Sequence, residues 1–196
     1  MIVVGLTGNL ASGKSAAAGI FKKLGAKVLD ADQVAKKLTQ KGTPLYKAIV
    51  KIFGTAYLTD TKDLDRRRLA WHVFTRPKEL KKLNILIHPG VIVEAFKAIE
   101  KEKGKKGMLV LDVPLLFESH MEKIVDVTVV VKSDRETTLK RAAKRGVPKK
   151  LAKKILASQW PLSKKSKLAD YVVENNGTPA ELEAQIKKVY GEIRKI

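Results

Sequence analysis

The 196-residue sequence contains no cysteine. That excludes a disulfide framework, thiolate metal sites and cysteine nucleophiles, and it is easily reconciled with a reducing cytosol. No apolar run approaches the ~20 residues that a membrane-spanning helix requires. Internal repeats, low-complexity tracts and Pro/Ser-rich linkers are also missing, so the chain reads as one continuous unit. The segment Met1-Ile2-Val3-Val4-Gly5 carries no basic leader or cleavage site, so a signal peptide is not expected and a cytoplasmic location is. Acidic residues are scarce: 20 Asp and Glu stand against 40 Lys and Arg, a formal charge of +20. Such a field attracts nucleic acid, acidic membrane or polyanionic small molecules. The lysine runs at Lys101–Lys106 and Lys149–Lys154 lack the interleaved aromatics of a nucleic-acid platform and read as solvated surface.

What is present suits a globular fold, since 44% of the residues are hydrophobic and can bury a sizeable core. Four apolar, β-branched runs read as buried parallel strands: Ile2–Leu6, Met108–Val113, Asp126–Val131 and Asp170–Val173. A fifth, Lys27–Asp30, lies between two helical stretches. Their alternation with helical patterns predicts an α/β fold, a doubly wound parallel sheet of five strands. Ser133-Asp134-Arg135-Glu136 and Thr178-Pro179-Ala180-Glu181 read as capping boxes, the second with proline at the first helical position. In the last helix Leu182, Ile186, Val189 and Ile193 share one face. The segment from about Asp32 onward is helical in pattern and too long for an ordinary crossover, so it reads as a helical insertion. Residues 133–160 form a second helical pair, turned at Gly146-Val147-Pro148.

Gly8-Asn9-Leu10-Ala11-Ser12-Gly13-Lys14-Ser15 matches the G-x-x-x-x-G-K-S/T phosphate loop at each defined position. It follows a predicted strand and precedes a helix with Ala17, Ile20, Phe21 and Leu24 on one face. Glycines let successive backbone N–H groups curl around a phosphate, and the helix N-terminus adds partial positive charge. In this setting Lys14 reaches the β- and γ-phosphates of a nucleoside triphosphate and Ser15 offers its hydroxyl to Mg²⁺.

The loop does not distinguish a switch GTPase, a motor ATPase and a small-molecule kinase. The N-K-x-D-type guanine signature is missing. Asp30 and Asp32 follow the second strand, at the end where α/β sheets place their ligands, and a carboxylate there can accept or orient the proton of an acceptor hydroxyl. Asp30 with Gln33 also reads as a helix-capping pair. Arg141 and Arg145, four apart on one helix, leave the same face and suit a lid that stabilises transferring charge and excludes water. A nucleoside or nucleotide kinase, and a nucleic-acid-binding protein with a vestigial nucleotide site, are the competing readings.

Together with the phosphate loop, these residues carry a more specific signal. Asp30-Ala31-Asp32, His88-Pro89, Pro114-Leu115-Leu116-Phe117-Glu118, the Arg141/Arg145 helix, Gln159, Ala169-Asp170 and Asn175-Asn176-Gly177 stand in the order seen in dephospho-CoA kinases. The intervening text is similar to that family as well, at Gly42-Thr43-Pro44-Leu45-Tyr46, Phe53-Gly54 and Leu64-Asp65-Arg66. The likeness runs from about Ile2 to Val189. It implies transfer of the ATP γ-phosphoryl to the ribose 3′-hydroxyl of dephospho-CoA, with Mg²⁺ required. It further implies a nucleotide-binding core (1–31, 107–132 and 161–196), an acceptor-binding insertion (32–106) and a lid (133–160).

By the same resemblance Asp32, Lys14 and Arg141 are catalytic. Gly8, Asn9, Ala11, Ser12, Gly13, Lys14, Ser15, Ala16, Arg145, Asn175 and Gly177 bind the nucleotide, with Asn175 to Gly177 approaching the adenine. Asp30, Asp32, Arg66, His88 and Leu115 line the acceptor, and Ser15 is the metal residue. For Arg66, surface support of its helix start is an equal alternative; for His88, at an expected helix start, packing or capping is the favoured reading. Asp112 resembles a magnesium-orienting acid or caps the Pro114 turn, and Glu118 suggests a structural or lid-tethering role. The implied partners are ATP and dephospho-CoA, with no specific nucleic acid, no membrane, and a monomer or weak homo-oligomer. The chain departs from the family at Asn9 and Ala11, where glycines are usual, and at Thr138, where glutamine is. A positive φ at Ala11 would cost about a kcal/mol or more.

Overall fold

The apolar runs become the strands of one sheet in the computed structural model, which describes all 196 residues. These strands are β1 (Ile2–Thr7), β2 (Lys27–Asp30), β3 (Met108–Asp112), β4 (Val127–Lys132) and β5 (Tyr171–Glu174). Their order is β2-β3-β1-β4-β5, and every pairing is parallel. Every residue of β3 is buried, which is why its sequence shows a continuous apolar run instead of alternation. Strand β1 lies at the centre, between β3 and β4, so the loop that follows it opens at the carboxyl edge where ligands of such sheets collect.

Two aspartates fix the strand starts. Asp126 accepts a hydrogen bond from the Val3 N–H at 2.7 Å, and Asp170 accepts from both the N–H and the hydroxyl of Thr128 at 2.8 and 2.7 Å. Strands β4 and β5 therefore begin one residue later than expected, because each aspartate spends its side chain on a neighbouring strand.

On one face of the sheet, Val4, Leu6, Val110, Val129, Val131 and Val173 meet two helices, α1 (Lys14–Lys23) and the last helix of the chain. Helix α1 contributes Ala17 and Phe21; the last helix contributes Leu182, Ile186, Val189 and Ile193, the face its spacing predicts. That last helix, Pro179–Ile193, opens with the expected capping box of Thr178 and Glu181.

The chain divides into two compact units, residues 1–31 with 95–196, and residues 32–94. Helix α2 (Ala31–Leu38) leads into the second unit, followed by α3 (Pro44–Phe53), α4 (Arg66–Phe74) and the long α5 (Pro77–Glu102). Thr43 and Asp65 cap α3 and α4 through their side chains. Ile49, Leu69 and Val73 form the centre of this unit's core. His88-Pro89 does not start a helix as the sequence suggests. Pro89 lies inside α5, tolerated at the loss of one backbone donor to the preceding turn.

In the sheet unit, β4 leads into α6 (Arg135–Lys144), α7 (Lys149–Ser158) and α8 (Leu162–Leu168), and then into β5; the last helix is α9. The capping box expected from Ser133 is displaced by one residue. Asp134 is the N-cap and accepts from the Thr137 N–H, while the Ser133 hydroxyl pairs with that of Thr138 at 2.8 Å. No helix is long and apolar enough to cross a membrane.

Ile186, on the last helix, has no exposed surface and belongs to the core shared with α1 and the sheet. Ile186→Ala is expected to lower unfolding free energy by about 2–5 kcal/mol, measured by urea denaturation. A loss below half a kcal/mol would contradict this placement of the core.

Candidate phosphate-loop site

Between Thr7 at the end of β1 and Lys14 at the start of α1, the chain makes a tight concave loop. Its two defining glycines are fixed by space. A Cβ on Gly8 would overlap the carbonyl oxygen of Val131, and one on Gly13 would overlap the side-chain amide of Asn175. Gly13 also sits at φ 99°, and Ala11 adopts φ 54°, so this alanine does take up the left-handed conformation. Its methyl group is buried with Ala142 and Ala152, and that packing offsets strain of about a kcal/mol.

No side chain caps α1, and its first turn holds no acidic residue. The helix therefore directs its uncapped N–H groups and the positive end of its dipole at the loop's mouth, a ready anion site. Ser15 and Ala16 are exposed there. Lys14 is nearly buried and pairs with the carboxylate of Asp112 at the end of β3. Asp30 stands opposite Asp112 in the register of β2 and β3, so two carboxylates mark adjacent strand ends at this edge.

The segments flanking the loop are held to it by directed hydrogen bonds. On one side, Asn175 donates its amide to the Ser12 carbonyl at 2.8 Å. The Arg141 guanidinium donates to the Asn175 carbonyl at 2.8 Å and to its side-chain oxygen at 3.4 Å. Asn176 accepts from the Asp134 N–H at 2.8 Å. Gly177 lies against Glu181, where a Cβ would overlap the carboxylate of the α9 capping box.

On the other side, the Leu10 N–H donates to Gln159 Oε1 at 2.9 Å, and Asn9 Nδ2 donates to the Trp160 carbonyl at 3.2 Å. The Trp160 N–H in turn donates to Glu118 Oε1 at 2.9 Å, and Lys165 pairs with the same oxygen at 2.8 Å. Burial lowers the Lys165 ammonium below the ordinary lysine range. The hydrogen bond and charge of Glu118 oppose this, and the charge of Lys14 adds to it.

The structure gathers Gly8, Asn9, Ala11, Ser12, Gly13, Lys14, Ser15, Ala16, Arg141, Asn175 and Gly177 about one loop and its flanking turn. Asn175 is buried against the loop backbone. Arg145 is the exposed C-cap of α6, one turn beyond Arg141, to whose carbonyl its N–H donates at 3.2 Å. Leu115 is half-buried, its carbonyl accepting from the N–H and hydroxyl of Ser119.

In the second unit Asp32 is exposed in the first turn of α2. Arg66 donates to the carbonyls of Lys36 and Thr39 at 3.0 and 3.4 Å, which closes the carboxyl end of α2; partial burial lowers its pKa. His88 is half-buried within α5. Sequence reasoning missed Lys165, which sits in the run Lys164-Lys165-Ser166-Lys167 and carries no local mark of burial. It also missed the direct contact of Asn9 with Trp160.

A central parallel strand, a glycine-limited anion cradle and a buried lysine–aspartate pair at the next strand define a nucleoside-triphosphate protein of the P-loop kinase class. The fold agrees: shikimate kinase from Acinetobacter baumannii superposes with a TM-score of 0.54 at 14% identity, covering 100% of this chain and 94% of the other. The particular family is shown by closer likeness. The family model described as dephospho-CoA kinase matches residues 2–181. The dephospho-CoA kinase of Enterococcus faecalis is 37% identical over 187 residues, covering 95% of this chain and 94% of its relative. The dephospho-CoA kinase structure from Campylobacter jejuni matches with a TM-score of 0.70 at 27% identity, over 98% and 97% of the two chains. The chain belongs to the dephospho-CoA kinase family.

Because Gly8 has no room for a methyl group, Gly8→Ala must displace β4 or open the loop. It is expected to weaken ADP binding by roughly tenfold or more, about 1.4 kcal/mol, as read by calorimetry. Unchanged affinity would contradict the cradle geometry.

Proposed function

We propose that this protein transfers the γ-phosphoryl of ATP to the ribose 3′-hydroxyl of dephospho-CoA, with Asp32 handling the hydroxyl proton. The observation that carries the reading is the anion cradle at residues 8–15, with Lys14 buried beside Asp112, in a chain of this family. In the reaction the 3′-oxygen attacks Pγ, the bond from Pγ to the β–γ bridging oxygen breaks, and the hydroxyl proton passes to a carboxylate. The products are ADP and coenzyme A. Asp32 follows Asp30 by two residues along the chain, and Asp30 is in register with Asp112; its exposed carboxylate suits a base or a hydroxyl-orienting group.

Lys14 and Arg141 are assigned to the phosphates, where preorganised cations stabilise the charge that spreads over the transferring group. Asp30, Arg66, His88 and Leu115 are proposed to line the acceptor, and Arg145 to approach the nucleotide. Residues 32–106 serve as the acceptor-binding insertion and 133–160 as the lid. The donors available to a metal are few. No cluster of three or more His, Cys, Asp or Glu is present; the oxygen donors are the exposed Ser15 at the start of α1 and the buried Asp112 carboxylate at the end of β3, paired with Lys14. That set fits Mg²⁺, which keeps several waters and takes the rest of its ligands from phosphates. When bound, Mg²⁺ neutralises charge on the β- and γ-oxygens. The working partners are thus ATP and dephospho-CoA in the cytoplasm, for a monomer or weak homo-oligomer that needs no nucleic acid.

In a coupled assay, ADP release is expected with dephospho-CoA and not with nucleoside monophosphates; the reverse pattern would replace the acceptor. Lys14→Ala is expected to lower turnover by roughly 10²-fold or more, the scale of one lost transition-state donor. Asp32→Asn is expected to depress kcat by a similar order, roughly 10²-fold, with ATP affinity retained. Wild-type turnover in Asp32→Asn would remove that residue from the chemistry.

A further inference from the structure

Behind the phosphate loop lies a charged pair that the chemistry above does not use. Lys165 has no exposed surface. Its ammonium donates to the Pro114 carbonyl at 3.0 Å and pairs with Glu118 Oε1 at 2.8 Å. The Pro114 carbonyl also accepts from the Thr7 hydroxyl at 3.0 Å, and Thr7 is the last residue before the loop. Glu118 Oε1 also accepts from the Trp160 N–H. The Trp160 carbonyl holds Asn9, and the neighbouring Gln159 holds the Leu10 N–H. The bonds close a ring: Thr7, Pro114, Lys165, Glu118, Trp160 and the loop again.

We infer that Lys165 and Glu118 form a positioning brace that sets the shape of the phosphate loop, acting through Pro114 and Trp160 on both ends of the segment from Thr7 to Leu10. The inference rests on the nucleotide-site reading above. Stability alone is a poor reason for such a pair. Desolvating two charges offsets most of their attraction, and apolar residues of similar volume often serve a core as well or better. Glu118 Oε2 is moreover buried without a partner, so the carboxylate is used on one side only. What the pair provides is direction, since both donors converge on Oε1: the Trp160 turn touches the loop directly, and Lys165 reaches Thr7 through the Pro114 carbonyl. Leu10 and Asn9 can keep their outward bonds only while the Gln159–Trp160 turn stays in place, and those bonds decide which N–H groups of the loop remain turned inward.

The test uses the full chain, with Glu118→Gln, Lys165→Met and the double variant. ADP affinity is measured by calorimetry, kcat and KM with ATP and dephospho-CoA, and unfolding by urea. Glu118→Gln keeps the acceptor for Trp160 while leaving Lys165 buried without a counter-charge. Each single variant is expected to weaken ADP binding and lower kcat by roughly tenfold, since small misplacements of a positioned site carry losses up to about 10²-fold. The double variant is expected to be no worse than the poorer single one, because one brace is broken in each case. A lower unfolding midpoint with ADP affinity, kcat and KM all within about twofold of wild type would make the pair a core element and overturn the inference. Should Lys165→Met not fold, Glu118→Gln decides alone, and wild-type behaviour in it overturns the brace. ADP binding requires no acceptor. A wild-type protein that binds ADP but leaves dephospho-CoA unphosphorylated would refute the kinase reading and still leave the brace measurable.

Discussion

An uncapped helix N-terminus creates a demand for negative charge. The loop from Gly8 to Gly13 leads into such a terminus, that of α1, whose first turn holds no acidic residue, and much of the sheet unit is arranged to hold it. Gly8 and Gly13 are confined by atoms from β4 and from the turn after β5. Ala11 is kept in a left-handed conformation by its packing on α6 and α7. Lys14 adds a full charge to the partial charges of the N–H groups, and Asp112 keeps that charge paired. A preorganised site of this kind needs little rearrangement when charge develops in the transition state, and this is the largest contribution such sites make to catalysis.

The excess of basic residues acts over a longer range. Several lysines pair with acids three or four positions away on helix surfaces, as in Lys82–Glu79, Lys103–Glu100, Lys140–Glu136 and Lys187–Glu183. Exposed pairs of this type contribute little stability. With twice as many basic as acidic residues, most of the positive charge has no such partner and sums to a field. ATP and dephospho-CoA are both polyanions, so the field favours their encounter with the protein in a salt-dependent way.

The sheet was legible because its strands are buried on both faces and announce themselves as β-branched runs. The phosphate loop was legible because a steric demand fixes its glycines and a chemical one fixes Lys14 and Ser15. The starts of β4, β5 and α6 were not. Asp126 and Asp170 read as strand residues although their side chains bond neighbouring strands, and Asp134 outcompetes Ser133 as N-cap because its carboxylate reaches the Thr137 N–H. Pro89 misled because proline marks a helix start more often than a helix interior. Lys165 was invisible. Its burial depends on Pro114 and Glu118, which lie about fifty residues away in sequence, and a lysine among lysines gives no local sign of such partners.

The central claim is that the cradle delivers a phosphoryl group to one particular alcohol. The most direct measurement follows the atoms: ATP labelled with ¹⁸O in its γ-phosphoryl oxygens is incubated with Mg²⁺, dephospho-CoA and the protein, and the products are resolved by mass spectrometry and phosphorus NMR. The account predicts labelled phosphate in a 3′-ester of the acceptor, formed one for one with ADP. Label recovered only in inorganic phosphate, or in an ester at another position, would contradict it.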